Sequence, residues 1–325
     1  MKLSKQNWSG ILWVNLNVQK LQAGTEALLH SLHRLPCDVR SMPVAFFLDA
    51  QIKQFAESLP LLADLKNEAL RERHWYQLME MTGTRFDMSP ESFTLENMFS
   101  MELHKHGATI TDIITAALKE IVIEKGVHAI SDTWENMQFV VLRHMKGTED
   151  RGFILSAMED ILQCLEDNAM SLQSMAASRF VGPFLSEVHR WEQSLSLIAE
   201  VIEVWMVVQR KWMYLESIFV DGDIRSQLPE EAQKFDVIHE AFKKIMMETA
   251  KNPIIKHCCH VTGQLAKMQE LSFGLERCQK SLNDYLDSKR NAFPRFFFIS
   301  DDELLSILGS SDPASVQEHM IKVPP

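Results

Sequence analysis

Residues 186–219 read SEVHRWEQSLSLIAEVIEVWMVVQRKWMYLESIF, and this stretch decides the fold class. Its apolar side chains recur at alternating steps of three and four, the spacing that places residues on one face of an α-helix. The first part of this stripe comprises Val188, Trp191, Leu195, Ile198, Ile202 and Trp205. The second part shifts by one residue from the strict heptad and comprises Val208, Trp212, Leu215 and Phe219. About 35 residues at about 1.5 Å each predict a helix about 50 Å long, with its apolar face packed against neighbouring helices.

The rest of the chain predicts further helices. It has only 12 glycines and 11 prolines in 325 residues, which favours long helices over a glycine-punctuated α/β fold. Gly83 and Gly126 are predicted to end two helices, Pro60 to kink or divide one, and Ser89 to cap another with Pro90 at its first position. Predicted helices occupy residues 19–33, 44–83 and 110–126. Further helices are predicted to begin at residue 90 and after residue 229, and two more precede residue 293. The predicted fold is therefore mainly α, an elongated multi-helix rod of packed bundles.

Residues 137–156 break the helical pattern. The apolar run Phe139–Leu142 is followed by the polar stretch HMKGTEDRG, residues 144–152, and then by a second apolar run, Phe153–Leu155. Two short β-prone runs around a polar turn predict a small β-hairpin set among the helices.

Composition and charge exclude several classes of protein. The net charge of -11, with acids and bases interspersed, argues against a general nucleic-acid binder, which would carry a basic stripe. The most apolar long stretch, residues 195–209, contains Glu200 and Glu203, so no membrane span is predicted. The first residues lack the features of a secretory signal, and five cysteines in such a chain indicate reduced thiols and a cytosolic compartment.

Catalytic signatures are missing from the sequence: there is no phosphate-binding loop, and no nucleophile-elbow or zinc-protease motif. The closest approach to a metal site is KHCCHVTG, with His257, Cys258, Cys259 and His260. Adjacent cysteines do not match the usual spacing of zinc ligands, and consecutive helical residues point about 100° apart. We therefore predict no catalytic, cofactor or metal residues and interpret this cluster as core cysteines with surface histidines, while a zinc-dependent enzyme remains an alternative.

The end of the chain reads FPRFFFISDDELLSILG from Phe293 to Gly309. The aromatic run predicts a short buried strand near 295–299, covering Phe296 to Phe298. Ser300 and Glu303 have the spacing of a capping box, which starts a helix that Gly309 ends. A second capped helix is predicted from Asp312-Pro313 to about Met320.

Several blocks of the sequence are long and specific. They are LPLLADLKNEALRERHW (59–75), SRFVGPFLSEVHRWEQSL (178–195), WMVVQRKWMYLESIF (205–219), DIRSQLPEEAQKFDVIHEAFKKIM (223–246), KSLNDYLDSKRNAFPRFFFIS (280–300), FPRFFFISDDELLSILG (293–309) and DPASVQEHM (312–320). In the same order, these blocks resemble the linker region of dynein heavy chains. The similarity covers about 35–320, and the form of the last blocks resembles axonemal chains, with an inner-arm type as the expectation.

The resemblance implies a mechanical protein. Residues 1–43 would form an uncertain, partly helical N-terminal segment, 44–292 the helical rod of the linker, and 293–325 the end that joins the first AAA+ module. The N-terminal third would hold the cleft and the part that changes its docking site on the ring. The residues implied to matter in the arm are Trp75, Trp191, Trp205, Trp212 and Phe219. Those implied at the joint are Phe293, Pro294, Arg295, Phe296, Phe297, Phe298, Ser300 and Glu303.

The resemblance also implies the setting of the chain. ATP and Mg would belong to the AAA+ ring of the parent heavy chain, a microtubule-dependent ATPase, while this chain would be non-catalytic and without a cofactor. Its partners would be that ring, the dynein intermediate, light intermediate and light chains, and microtubules indirectly, but no nucleic acid and no membrane. Its location would be the cytoplasm and the axoneme, part of the cytoskeleton of cilia or flagella. Because IKVPP precedes any ring sequence, we expect a fragment or truncated product. The alternative is a free-standing helical adaptor or scaffold protein.

Overall fold

Helical spacing of apolar residues along most of the chain produces a mainly α structure of packed helices, as the sequence predicts. The computed structural model describes residues 2–220 and 224–308. These residues form 14 α-helices, four short 3₁₀ helices and one two-stranded antiparallel sheet. None of the described helices combines the length and the apolar character needed to cross a membrane. The chain divides into two compact units.

The first unit comprises the residues up to Gly126 together with Ser178–Phe184. Its core gathers the apolar faces of its helices, and the half-buried Trp13 packs against it, with its backbone N–H donating to the Phe93 carbonyl at 2.8 Å. Its helices are α1 (Lys2–Ser9), α2 (Val18–His33), α3 (Cys37–Arg40), α4 (Pro43–Asp64), α5 (Glu72–Thr82), α6 (Leu95–Ser100) and the first part of α7 (Gly107–Asn136), with 3₁₀ helices at Trp13–Asn15, Leu103–Lys105 and Gly182–Phe184.

The second unit comprises Val127–Ala177 and the described residues from Leu185 onward. It contains the rest of α7, β1 (Val140–Lys146), β2 (Glu149–Ser156), α8 (Met158–Ala176), α9 (Leu185–Phe219), α10 (Ile224–Gln227), α11 (Pro229–Lys251), α12 (Ile255–Cys259), α13 (Gln264–Ala292), a 3₁₀ helix at Pro294–Phe298 and α14 (Asp301–Leu308). Helix α9 has 35 residues, which confirms the predicted long helix, and α8, α11, α12 and α13 pack against it. It is therefore the central element of this unit.

Some predicted helix ends are confirmed and others are wrong. Gly83 adopts the left-handed conformation, with φ 68°, and ends α5 as predicted. Helix α7 instead continues through Gly126 to Asn136. One glycine in a helix costs only about 1 kcal/mol, and the apolar face continues beyond it with the buried residues Val127 and Trp134.

The predicted cap at Ser89 is wrong, and Pro60 does not divide its helix. The Ser89 carbonyl accepts the backbone N–H groups of Ser92 and Phe93 in a turn, and the next helix begins only at Leu95. There Thr94 is the N-cap, because its backbone and side chain bind the Asn97 side chain. Helix α4 runs through Pro60 without interruption.

The predicted hairpin is confirmed, although its strands reach further than the sequence indicates. The pair Lys146 and Glu149 closes the loop, and Gly147, with φ 62°, occupies the first loop position, as in a type II′ turn. Between the pairs Arg143–Phe153 and Met145–Asp150 the register shifts, so one residue of β1 lies opposite two of β2. Most of the predicted polar turn therefore belongs to the strands.

Ala157, between β2 and α8, offers a test of backbone strain. It has φ 52° and ψ 51°, a conformation that costs an L-residue with a β-carbon about 1–2 kcal/mol. We expect Ala157→Gly to stabilise the second unit by about 0.5–1 kcal/mol, since the relief of strain exceeds the added entropy of the unfolded chain. The control Ala129→Gly, at an exposed position inside α7, should destabilise by about 1 kcal/mol. Urea unfolding measures the free energy of unfolding of both variants. A change of the same sign in the two variants would contradict the strain argument.

Candidate functional site

Trp75 is half-buried and packs against the core of the first unit. It lies on α5, and its ring meets those of Trp13 and Phe93 edge to face, with centroids 5.5 and 5.4 Å away. Beside it, His74 is buried, and its Nδ1 accepts the Arg71 backbone N–H at 3.0 Å while Nε2 lies 3.1 Å from a Glu120 oxygen. Burial lowers the pKa of His74. Trp75 therefore joins the 3₁₀ turn at Trp13 to α5 by packing.

Along α9 the predicted aromatic residues are all buried. Trp212 donates its indole N–H to His239 Nδ1 at 3.1 Å, and the two rings stack with centroids 5.6 Å apart. Phe219 stacks on Phe235 of α11 at 5.4 Å, and Trp205 directs its indole N–H at the sulfur of Met246, 3.4 Å away. Burial is also the main cause of a lowered pKa at His239. These residues fasten α9 to α11 over its C-terminal half.

Trp191 lies in the N-terminal half of α9 and is also buried. The Lys256 ammonium sits 4.8 Å from the centre of its ring, in the geometry of a cation–π contact. Lys256 also pairs with Glu135, at 3.2 Å. Trp191 thus connects α9 to α12, and through Lys256 to the end of α7.

Two polar residues of α9 escaped the sequence analysis. Gln209 and Glu216 are buried among the apolar residues of the helix, and both bind the hairpin. The Gln209 amide makes two hydrogen bonds to the backbone of Leu155, at 2.8 and 2.9 Å. Glu216 accepts from the Arg151 guanidinium at 2.8 Å, and His144 Nε2 lies 3.7 Å from its other oxygen. The hairpin is therefore held on α9 by specific polar bonds.

The aromatic run near the end is not a buried strand, and this part of the prediction is wrong. Residues Pro294–Phe298 form a 3₁₀ helix, in which the Phe296 N–H donates to the Phe293 carbonyl at 2.9 Å. Pro294 fixes the backbone in a helix-compatible conformation and lacks the N–H that a strand needs. Phe293, Phe297 and Phe298 are 39%, 59% and 66% exposed. These three side chains are called the aromatic end surface below, and exposed Arg295 lies between them in sequence.

The predicted capping box at Ser300 and Glu303 is present, while Phe296 is half-buried in the 3₁₀ helix rather than in a strand. The Ser300 hydroxyl accepts the Glu303 backbone N–H at 3.3 Å, and the Glu303 carboxylate accepts the Ser300 backbone N–H at 3.1 Å, which confirms the capping box. Phe296 packs on Phe293, with ring centroids 4.8 Å apart, and Ile299 is buried. The predicted stop at Gly309 and the second helix at 312–320 lie outside the described residues.

Helix α14 is anchored to the end of α13. Burial, together with the nearby charges of Asp302 and Asp301, raises the pKa of the Tyr214 phenol on α9. The Arg290 guanidinium, at the end of α13, binds the Ile299 carbonyl and the Asp301 carboxylate. The aromatic end surface is thus presented by a short segment fixed on both sides.

The cysteine and histidine cluster is divided between core and surface. Cys258 and Cys259 are buried, and burial raises the pKa of both thiols. His260 is exposed and lies within hydrogen-bond distance of the Ser194 hydroxyl, at 3.1 Å. Among residues 2–220 and 224–308, no group of three or more His, Cys, Asp or Glu side chains is arranged to hold a metal ion. The geometry of the cluster is that of packing residues.

The chain closely resembles known dynein heavy chains. The family model "Dynein heavy chain, N-terminal region 2" matches residues 1–323. Identity is 64% over 323 residues with dynein axonemal heavy chain 10 of Homo sapiens, covering 99% of this chain and 7% of that protein. It is 56% over 319 residues with the dynein-1-alpha heavy chain of the flagellar inner arm I1 complex of Chlamydomonas reinhardtii, covering 98% and 7%. The chain spans about 7% of the length of these curated relatives.

Proposed function

The chain belongs to the dynein heavy chain family, within its N-terminal region, and from that premise we propose that it is the linker of an axonemal heavy chain, a mechanical lever. The lever would transmit ATP-driven changes of an AAA+ ring into movement along microtubules. The observation that carries this proposal is the aromatic end surface, which leaves large apolar side chains uncovered at the end of the last long helix.

The construction of α9 supports a load-bearing element. A single helix resists bending best when side chains on neighbouring elements hold it along its length. Here the buried residues run from Val188 to Phe219, and α8, α11, α12 and α13 all pack against the helix. A force applied at one end of such a helix is shared by the whole unit rather than dissipated in a loop.

The aromatic end surface supports a joint at which this unit meets another domain. Exposed phenylalanines this close together are typical of interaction sites. Arg290 and the Ser300 cap hold the segment in place, so a partner that packs on the phenylalanines would be coupled rigidly to α13 and α14. We propose that the partner is the first AAA+ module of the same heavy chain.

The catalytic activity and the other subunits belong, in this proposal, to the parent motor. We propose that ATP and Mg act in its ring, that this region contributes no catalytic residue, and that intermediate, light intermediate and light chains share the complex. The axonemal relatives support a location in the axoneme of cilia or flagella. We also propose residues 1–43 as the N-terminal segment of the linker and residues 44–292 as its helical rod.

The double change Phe297→Ser and Phe298→Ser in the parent heavy chain tests the joint. We expect ATP turnover to persist within about twofold while microtubule gliding slows about tenfold, because lost apolar contact loosens the lever from the ring. Gliding assays and steady-state ATPase measurements on the same preparation give both quantities.

Phe273→Ser is the matched control, since Phe273 on α13 is 63% exposed, as much as the two joint residues. It should leave gliding unchanged. Normal gliding in the double variant would contradict the joint. Equal slowing in the control would show that the effect is a general loss of stability.

A further inference from the structure

The two outer edges of the β-hairpin differ. At Leu155 the edge of β2 is closed, because the Gln209 side chain of α9 binds both backbone groups of that residue that point away from β1. An amide side chain there takes the place of a neighbouring strand. Helix α11 packs along β2 as well, and Lys243 lies 3.6 Å from where a β-carbon on Gly152 would be.

The edge of β1 is open over most of its length. Val141 lies opposite Leu155 in a non-hydrogen-bonded pair. In an antiparallel ladder, the N–H and C=O groups of both residues in such a pair point away from the partner strand. By the same alternation the groups of Arg143 point outward, as do those of Met145 beyond the register shift. In the described part of the chain, no backbone group outside the hairpin binds Val141, Arg143 or Met145.

The same edge already accepts an extended segment at its beginning. The Phe139 N–H donates to the Pro253 carbonyl at 2.8 Å, and the Ile255 N–H donates to the Met137 carbonyl at 3.0 Å. Opposite Val141 the pairing stops, since the residues up to Lys251 belong to α11. Strand addition along this edge is therefore compatible with its surroundings, and only its first part is occupied.

The side chains around the open edge indicate what would bind there. Val140 and Leu142 are 45% and 47% exposed on the face of the sheet opposite to buried Leu155. Strand β1 carries Arg143, His144 and Lys146 but no acidic residue, and the Arg143 side chain, 68% exposed, pairs with Asp150 of β2 at 3.1 Å. A second copy of the same edge would bring like charges together, which disfavours pairing between two copies of this chain.

We propose that the outer edge of β1, from Val141 to Met145, binds an extended segment of a partner polypeptide that adds as a third strand. Its apolar side chains at alternate positions pack against Val140 and Leu142, and an acidic side chain lies beside Arg143. Main-chain hydrogen bonds provide the affinity, and the alternating side chains provide the selectivity.

The test uses the 325-residue chain and the synthetic peptide acetyl-EVTVEITV-amide, whose valines, isoleucine and glutamates supply this pattern. We expect binding at submillimolar concentration in calorimetry, and slower hydrogen exchange at the amides of Val141 and Arg143. An identical peptide, N-methylated at alternate residues on its bonding edge, should bind at least about tenfold more weakly. Equal affinity of the two peptides, or no binding up to about 1 mM, would overturn the proposal.

A pair of protein variants locates the contact. Val141→Pro removes an outward N–H that the hairpin does not use and should weaken peptide binding about tenfold, whereas Val141→Thr keeps the N–H and should bind normally. Circular dichroism verifies that both variants are folded. If the proline variant unfolds, Val141 with an N-methylated backbone, introduced by chemical ligation, replaces it. Self-association of the chain that the proline abolishes would identify a second copy as the occupant and overturn the partner assigned here.

Discussion

Glu216→Ala is expected to destabilise the second unit by about 1.5–3 kcal/mol, one of the largest effects of a single side chain in this protein. Glu216 is only 1% exposed, and its carboxylate accepts a 2.8 Å hydrogen bond from Arg151, whose side chain is 9% exposed. Without Glu216, the buried Arg151 guanidinium loses its carboxylate on α9 and keeps the ion pair with the exposed Glu149, 2.6 Å away. Hydrogen exchange of α9 peptides, measured by mass spectrometry, reports the second unit separately from the first.

The double variant Glu216→Leu with Arg151→Met is the control for this effect. Replacing both charges by apolar side chains of similar size removes the buried ion pair without leaving one partner behind, so most of the lost stability should return. Glu216→Gln keeps a hydrogen-bond acceptor, so its stability should lie between that of Glu216→Ala and that of the unchanged protein. A loss below about 1 kcal/mol for Glu216→Ala would mean that water reaches Arg151 and that the pair contributes little.

The heptad of α9 explains what could be predicted from sequence and what could not. Its apolar spacing predicts the helix, and it predicts a stripe through Val208 and Leu215 because those residues are apolar. The strict heptad instead continues through Gln209 and Glu216, which are buried and bound by the hairpin. A polar residue at a heptad core position indicates a polar partner, but that partner is 54 or 65 residues away in sequence.

The end segment shows the opposite difficulty. Ser300 and Glu303 were predictable because a capping box is local, and every atom in it lies within three residues. The exposure of Phe297 and Phe298 was not predictable from sequence, because it depends on whether another part of the protein covers them. Hydrophobicity alone predicted a core position, where the structure has an exposed surface. Apolar residues that the sequence predicts as core but the structure exposes form a surface suited to a partner.

Glu203→Pro tests whether α9 acts as the proposed lever. Glu203 is exposed in the middle of α9, so its side chain is not part of the core, but proline there removes a backbone hydrogen bond and clashes with the carbonyl of Ala199. We expect a loss of about 3 kcal/mol or more in the stability of the second unit. If the chain is the lever proposed above, ATP turnover in the parent motor should continue while microtubule gliding is largely lost, because a kinked arm would not transmit the movement of the ring.

Two milder substitutions at the same position separate bending from unfolding. Glu203→Ala preserves the helix and should glide like the unchanged motor, while Glu203→Gly should cost about 1 kcal/mol and leave the unit folded but less rigid. If α9 acts as a lever, gliding speed falls from alanine to glycine to proline while ATP turnover stays level. If gliding and turnover fall together, the variants disturb the ring rather than the coupling. Normal gliding in a folded proline variant would mean that force passes through another element than α9.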